Sequence, residues 1–280
     1  MVVAAAGNLG RNDATKGYAT IGAPGNDPFV ITVGGMNAVS TLGRGDDTIA
    51  SYSSKGPSLL DHIIKPDLVA PGNMVVSVSA TGTSTLDAAF PQNLVGSNYL
   101  KLSGTSMAAP AVSGAVALLL HKTPTLTPNQ VKARLMKTAY KQFPASSTWL
   151  DTTTGKSYTS YYDVFTVGAG YLDITAALAN NDLNTASATT PLSPKAQYNA
   201  STGSVTMVGA NSLVWGDSLV WGSSLVWGDS LVWGDSLVWG DSLVWGDSTT
   251  SGFSLVWGDS LVWGDSLVWG DSVMTNGDSH

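Results

Sequence analysis

The chain has 280 residues, 43% of them hydrophobic, which suffices for one sizeable domain and an appendage. Its formal charge of −7 is unevenly spread: all 13 Lys and Arg fall at or before Lys195, nine of the 20 acids follow residue 200, and every acid is Asp. No basic patch offers itself to nucleic acid, and the lack of cysteine excludes a thiol nucleophile and a thiolate metal site.

Met1-Val2-Val3-Ala4-Ala5-Ala6 lacks the basic segment of a signal peptide and reads as a buried parallel strand cut at its start. The expectation is therefore that the reading frame opens inside a domain. The run ends on Gly7-Asn8. Phe29–Val33 and Met74–Val78 are β-branched runs bounded by Gly, Pro and Asn, the pattern of strands buried on both faces. Between them lies Lys65-Pro66-Asp67-Leu68-Val69-Ala70-Pro71-Gly72. Gly104-Thr105-Ser106-Met107-Ala108-Ala109-Pro110 puts a serine on a tight glycine turn at the mouth of a helix predicted from about Ser106 to His121. That helix is apolar nearly all round, hence expected to be central and buried, and its alanines and Gly114 let neighbouring backbones come close. Its apolar run Ala115–Leu120 falls far short of the roughly 20 residues that cross a bilayer. Thr127-Pro128 caps a second helix reaching about Ala139, and Gly168–Asp173 leads into a short third one ending near Asn180. Strands alternating with helices make this an α/β domain over residues 1–180.

Together the Ala4–Asn8, Lys65–Gly72 and Gly104–Pro110 blocks, in that order, closely resemble the C-terminal half of the catalytic domain of subtilisin-like serine proteases. The resemblance implies a three-layer domain around a parallel sheet, N-terminally incomplete, and cleavage of protein or peptide substrates through an acyl-serine. Neither the aspartate block nor the His-Gly-Thr block of that family occurs in the chain. By the resemblance, Ser106 is the nucleophile and the Asn8 side-chain amide donates to the oxyanion. Ala5, Ala6 and Gly7 line one wall of the primary specificity pocket, and Gly104 and Thr105 belong to the substrate cleft.

A serine hydroxyl needs a base to take its proton and donors to hold the oxyanion that its attack creates. Ser106 at a helix N-terminus brings its own backbone N–H and the positive end of the helix dipole. A serine ahead of a helix is ordinarily a cap, and Asn8 alone would be a turn residue; the three motifs in family order reverse both readings. Asp67 is read as structural. None of the three histidines suits the role of base: His121 is 15 residues along the same helix, roughly 22 Å away, His62 sits in a loop before the Lys-Pro-Asp motif, and His280 is the last residue. The base and its orienting aspartate are therefore expected in a missing N-terminal catalytic half. No cofactor is required by this chemistry. Calcium binds several family members, but no Asp cluster with ligand spacing appears, so it stays unassigned. The family also implies an extracellular or cell-surface setting.

Residues 181–211 turn to Thr, Ser, Ala, Asn and Pro without apolar periodicity and read as a linker. Residues 212–280 carry a tail of ten hexads from Leu213 to Ser272, nine of them with Leu-Val-Trp-Gly. The odd unit, Thr249–Ser254, drops the hydrophobes yet keeps its six-residue length. A strand-and-turn hexad suits a stacked β-solenoid, three units to a coil, and self-association; replication slippage would give the same period with no fold. The period leaves both readings open. A non-catalytic protease remnant presenting such a repeat module is the competing reading of the whole chain.

Overall fold

The computed structural model describes residues 1–39, 41, 43–79, 84–181, 190–199 and 204–209. The hexad tail, 212–280, lies outside the described residues.

The N-terminal apolar run forms β1 (Val3–Ala5), which pairs in parallel with β2 (Ile31–Asn37) in the register Ala4 opposite Thr32. β2 is buried at all seven positions, as a strand covered on both faces must be. It starts at Ile31, two residues later than the apolar run suggests, and Phe29 stays 46% exposed. β3 (Thr48–Ile49) pairs antiparallel with the end of β2, and β4 (Leu68–Pro71) lies parallel along its other side.

β5 (Val75–Val78) departs from expectation. It is neither parallel nor buried on both faces, for Val76 and Val78 are 50% and 78% exposed. After α1 (Thr85–Ala89), β6 (Leu94–Val95) and β7 (Tyr99–Leu102) join it in a separate antiparallel sheet of order β5-β7-β6. β-branched residues suit any extended chain, so that run alone could not say which sheet it would enter.

α2 (Thr105–Lys122) packs on β1, β2 and β4. It buries Ala108, Val112, Ala115, Val116 and Leu119, one stripe at helical spacing. Its opposite stripe, Pro110, Ser113, Gly114, Ala117 and Leu118, is exposed, so an apolar circumference did not mean burial all round. α3 (Pro128–Thr138) begins on the foreseen cap: Thr127 accepts from the Gln130 N–H while the Gln130 side chain accepts from the Thr127 N–H.

A hairpin not foreseen from sequence, β8 (Ser146–Asp151) and β9 (Lys156–Tyr161), follows. Its signal was present: alternating chain on both sides of Thr152-Thr153-Thr154-Gly155, with Gly155 at φ +72°. Then come α4 (Val164–Val167), capped by Asp163, and α5 (Ile174–Ala179), capped by Asp173 and packed on α2 and α3.

The reading of 181–211 as a linker fails over its described part. β10 (Lys195–Asn199) and β11 (Ser204–Val208) form a hairpin, and Leu192, Ala196 and Val205 are buried in the main core. Tyr198 and Met207 pack against the same core, and the Ser193 hydroxyl bonds to the buried Asp67, so a stretch of polar average composition is docked by a few placed residues.

Candidate active site

The site is built at the carboxyl ends of β1 and β4, where they meet the N-terminus of α2. β4 delivers Gly72, whose carbonyl accepts from the Gly104 N–H at 2.9 Å and from the Tyr52 hydroxyl at 2.9 Å. A Cβ on Gly72 would lie 2.9 Å from the Gly104 carbonyl oxygen and 3.1 Å from the Ala108 Cβ, so only glycine lets the strand end pass under the helix start. Gly104 is the cap residue of α2 at φ +151°. Thr105 and Ser106 follow in the first turn, where the backbone N–H groups have no partner within the helix. Pro110 has no N–H to give to the Ser106 carbonyl, which loosens this first turn further.

Asn8 arrives from β1, and Thr105 holds it. The Thr105 N–H and hydroxyl both donate to Asn8 Oδ1, at 3.0 Å each, across 97 residues of sequence. The same hydroxyl accepts from the Gly7 N–H at 3.1 Å. With its oxygen taken by two donors, the amide is oriented with its NH₂ as the donating end. Asn8 and the turn carrying Ser106 are thereby brought together. Ala5 and Gly7 are half-buried at the same edge, whereas Ala6 is 1% exposed with its N–H bonded to the Val33 carbonyl, which places its methyl in the core.

Sequence reasoning passed over the support beneath Asn8. Residues 51–55 are buried, and Ser54 donates its N–H to the Gly7 carbonyl while its hydroxyl accepts from the Leu9 N–H. Gly10 donates to the Tyr52 carbonyl. Gly7 sits at φ +108° with room for no side chain, since a Cβ would meet Ser54 Oγ at 2.8 Å. No local signal announced this support, because Ser51-Tyr52-Ser53-Ser54-Lys55-Gly56-Pro57 has the composition of an ordinary exposed loop. Further along, Arg11 donates to Ser51 Oγ, and its guanidinium lies 4.0 Å over the Trp149 ring, so the unforeseen β8–β9 hairpin braces the loop after Asn8.

Neither described histidine is beside Ser106. His121 lies at the far end of α2. His62 precedes the amino end of β4, near Lys195, whereas Ser106 sits by the carboxyl end; the extended chain from Pro66 to Gly72 alone spans roughly 20 Å. Burial lowers the His62 pKa, and Asp61 beside it works against that shift.

Asp67 is wholly buried at the opposite end of the sheet. Burial tends to raise its pKa, but Lys132 and Lys65 outweigh this and hold it low. Its carboxylate accepts from the Thr32 N–H, the Lys65 ammonium and the Ser193 hydroxyl, the web of a structural residue. A second buried group lies under the loop after Asn8: the Tyr18 hydroxyl donates to Asp163, and Lys55 donates to the Lys16 carbonyl. Burial brings the Lys55 pKa down to about 8, with Asp163 opposing, and raises those of Tyr18 and Asp163.

Among known proteins, the profile of the subtilase family matches residues 1–170. The serine protease AprX of Bacillus subtilis (strain 168) is 42% identical over 135 residues, 48% of this chain and 29% of that protein. Subtilisin of Bacillus pumilus is 39% identical over 139 residues, 50% of this chain and 39% of its own length. The chain thus spans well under half of these relatives. Among solved structures, fervidolysin from Fervidobacterium pennivorans aligns with a TM-score of 0.43 and 26% identity, over 65% of this chain and 23% of that one.

Proposed function

The chain belongs to the subtilase family, with a subtilisin-like fold over the matched residues 1–170, and on that premise we propose that it contributes the nucleophile half of a serine endopeptidase. The observation that carries this reading is the Thr105 clamp, which holds an amide from residue 8 against the turn that bears Ser106. In the proposed reaction the Ser106 hydroxyl attacks a peptide carbonyl. The developing oxyanion is held by the Ser106 N–H, at the positive end of α2, and by the Asn8 amide. The base takes the hydroxyl proton and passes it to the departing amine as the peptide C–N bond breaks, leaving an acyl-serine that water then hydrolyses to a free acid and the original serine. Ala5, Gly7 and the backbone of Ala6 form one side of the cleft for the substrate, with Gly104 and Thr105 at its floor.

The base and its orienting aspartate come from a segment outside these 280 residues, an N-terminal catalytic half acting as partner. The support is geometric, because neither His62 nor His121 reaches Ser106. Calcium stays unassigned; among the described residues no group of three or more His, Cys, Asp or Glu could hold a metal ion. The family suggests an extracellular or cell-surface setting, and among the described residues no helix is long and apolar enough to cross a membrane. The second reading, a non-catalytic remnant that presents a self-associating tail, draws on the same want of a nearby histidine.

A fluorophosphonate probe separates the two. The chain alone should not label at Ser106, and labelling should appear when a segment bearing the family's Asp and His-Gly-Thr blocks is supplied. Failure of that completed protein to label would favour the remnant. Rapid labelling of the chain alone would mean that a base is already at hand.

A further inference from the structure

Ser54 takes hold of Asn8 through the main chain. Its N–H donates to the Gly7 carbonyl at 2.9 Å, and its hydroxyl accepts from the Leu9 N–H at 3.0 Å. The first bond seizes the peptide before Asn8 and the second the peptide after it. A parallel strand pair makes the same two bonds with backbone alone, and here a side-chain oxygen stands where the partner strand would offer a carbonyl. One residue thereby fixes both peptide planes that flank Asn8, and with them the place of its Cα.

Ser54 is itself a fixed point. On one side the Ser53 hydroxyl accepts from the Gly35 N–H of β2 at 3.0 Å. On the other the Lys55 N–H donates to the Gly17 carbonyl at 2.9 Å, and the Lys55 carbonyl accepts from the Thr20 N–H at 3.2 Å. Ser53 and Ser54 are no more than 1% exposed, so water does not compete for these bonds. Thr105, by contrast, grips the Asn8 side chain and meets the backbone of that turn at the Gly7 N–H. The donor is therefore held twice, by its main chain from below and by its amide oxygen from the helix.

We propose that Ser54 is a positioning residue for the oxyanion donor: it sets the backbone of Asn8, and the Thr105 clamp closes only on an amide so placed. The inference rests on the reading of Asn8 as that donor. A donor stabilises an oxyanion from about 2.7–3.1 Å, and a misplacement of about 1 Å can cost on the order of 100-fold in rate. Ser54→Ala keeps the bond to the Gly7 carbonyl and leaves the Leu9 N–H without its acceptor, so the turn loosens without letting go.

Two measurements test this. In the completed enzyme, Ser54→Ala should lower kcat per fluorophosphonate-labelled site roughly tenfold at nearly constant KM. Because Ser54 acts through Asn8, adding Ser54→Ala to Asn8→Ala should change kcat by less than about twofold. A tenfold loss in that background as well, or an effect confined to KM, would overturn the proposal. Hydrogen–deuterium exchange on the full chain needs no activity, so a completed protein that never labels would sink the endopeptidase reading and still leave the hold on Asn8 decided. There Ser54→Ala should raise opening about tenfold at Leu9 and also at Thr105, whose N–H donates to Asn8 Oδ1. Amides of β10, docked at the opposite end of the sheet, should not follow. Asn8→Ala, which trims a half-buried side chain, should release Thr105 and leave Leu9 protected. Unchanged protection of Thr105 in Ser54→Ala, opening shared equally by β10, or loss of protection at Leu9 in Asn8→Ala would each defeat the idea. The last of these decides even where Ser54→Ala does not fold.

Discussion

Thr105 does the work of alignment with two atoms, an N–H and an Oγ1, both aimed at the Asn8 amide oxygen. If Asn8 is the oxyanion donor, Asn8→Ala in the completed enzyme should lower kcat about 10²–10³-fold at nearly constant KM, the magnitude known for removing this kind of donor in subtilisin itself. Thr105→Val removes one of the two clamps and leaves the Gly7 N–H without its acceptor. A smaller loss of kcat, roughly tenfold, is expected, about 1.4 kcal/mol. A change confined to KM for either variant would move the residue from charge stabilisation to substrate binding. Ser106 and Asn8 stood out only through the three motif blocks in order and the resemblance those carry, because a serine ahead of a helix and an amide after an apolar run point by themselves to a cap and a turn. Thr105 was legible only as part of the cleft. Its clamp is a contact between segments 97 residues apart, and nothing local announces it.

At the scale of elements, the close approach of β4 to α2 depends on Gly72 having no side chain. Gly72→Ala would press a methyl against the Gly104 carbonyl and Ala108, neither of which is a flexible side-chain end. The expected cost is about 1–3 kcal/mol, which in a domain of this size lowers Tm by roughly 3–10 °C, and labelling at Ser106 in the completed enzyme should slow in parallel. An unchanged Tm would mean that the strand and helix can part without penalty. α2 and α3 were read from sequence almost to the residue, since caps and helical spacing are written locally. β5 and the 190–209 region were not. Whether an extended run enters a parallel or an antiparallel sheet, and whether a few placed residues in a polar stretch find a groove, are decided by partners far away in the chain.

For the molecule as a whole, buried lysines set the response to pH. Burial depresses the pKa of Lys132 to about 7 and those of Lys55 and Lys141 to about 8. Unfolded lysines hold their protons to about 10.5, so between pH 7 and 10 the unfolded chain binds more protons and stability must rise with pH. Above pH 10 the sign reverses, because burial raises the pKa values of Tyr18, Tyr162 and Tyr171 and the unfolded tyrosines ionise first. Melting curves should therefore give a higher Tm at pH 9.5 than at pH 7, followed by a decline beyond about pH 10. A Tm that falls steadily from pH 7 upward would contradict the burial of these lysines.

The 97-residue span between Asn8 and Thr105 also has a bearing on time. A contact that must close so long a loop is among the last to form as a chain folds, because the entropy of closure has to be met before the contact returns anything. Ser106 can rest on its helix early, since α2 needs only its own turns and the sheet beneath. The Asn8 amide cannot be in place until β1, β2 and β4 are already aligned. If the chain is the nucleophile half of the protease proposed above, a half-folded chain would present a serine without its oxyanion donor, and peptide-bond cleavage would be withheld until folding is nearly complete. On that reading, such a chain would be harmless to its own unfolded neighbours for as long as it remained unfolded itself.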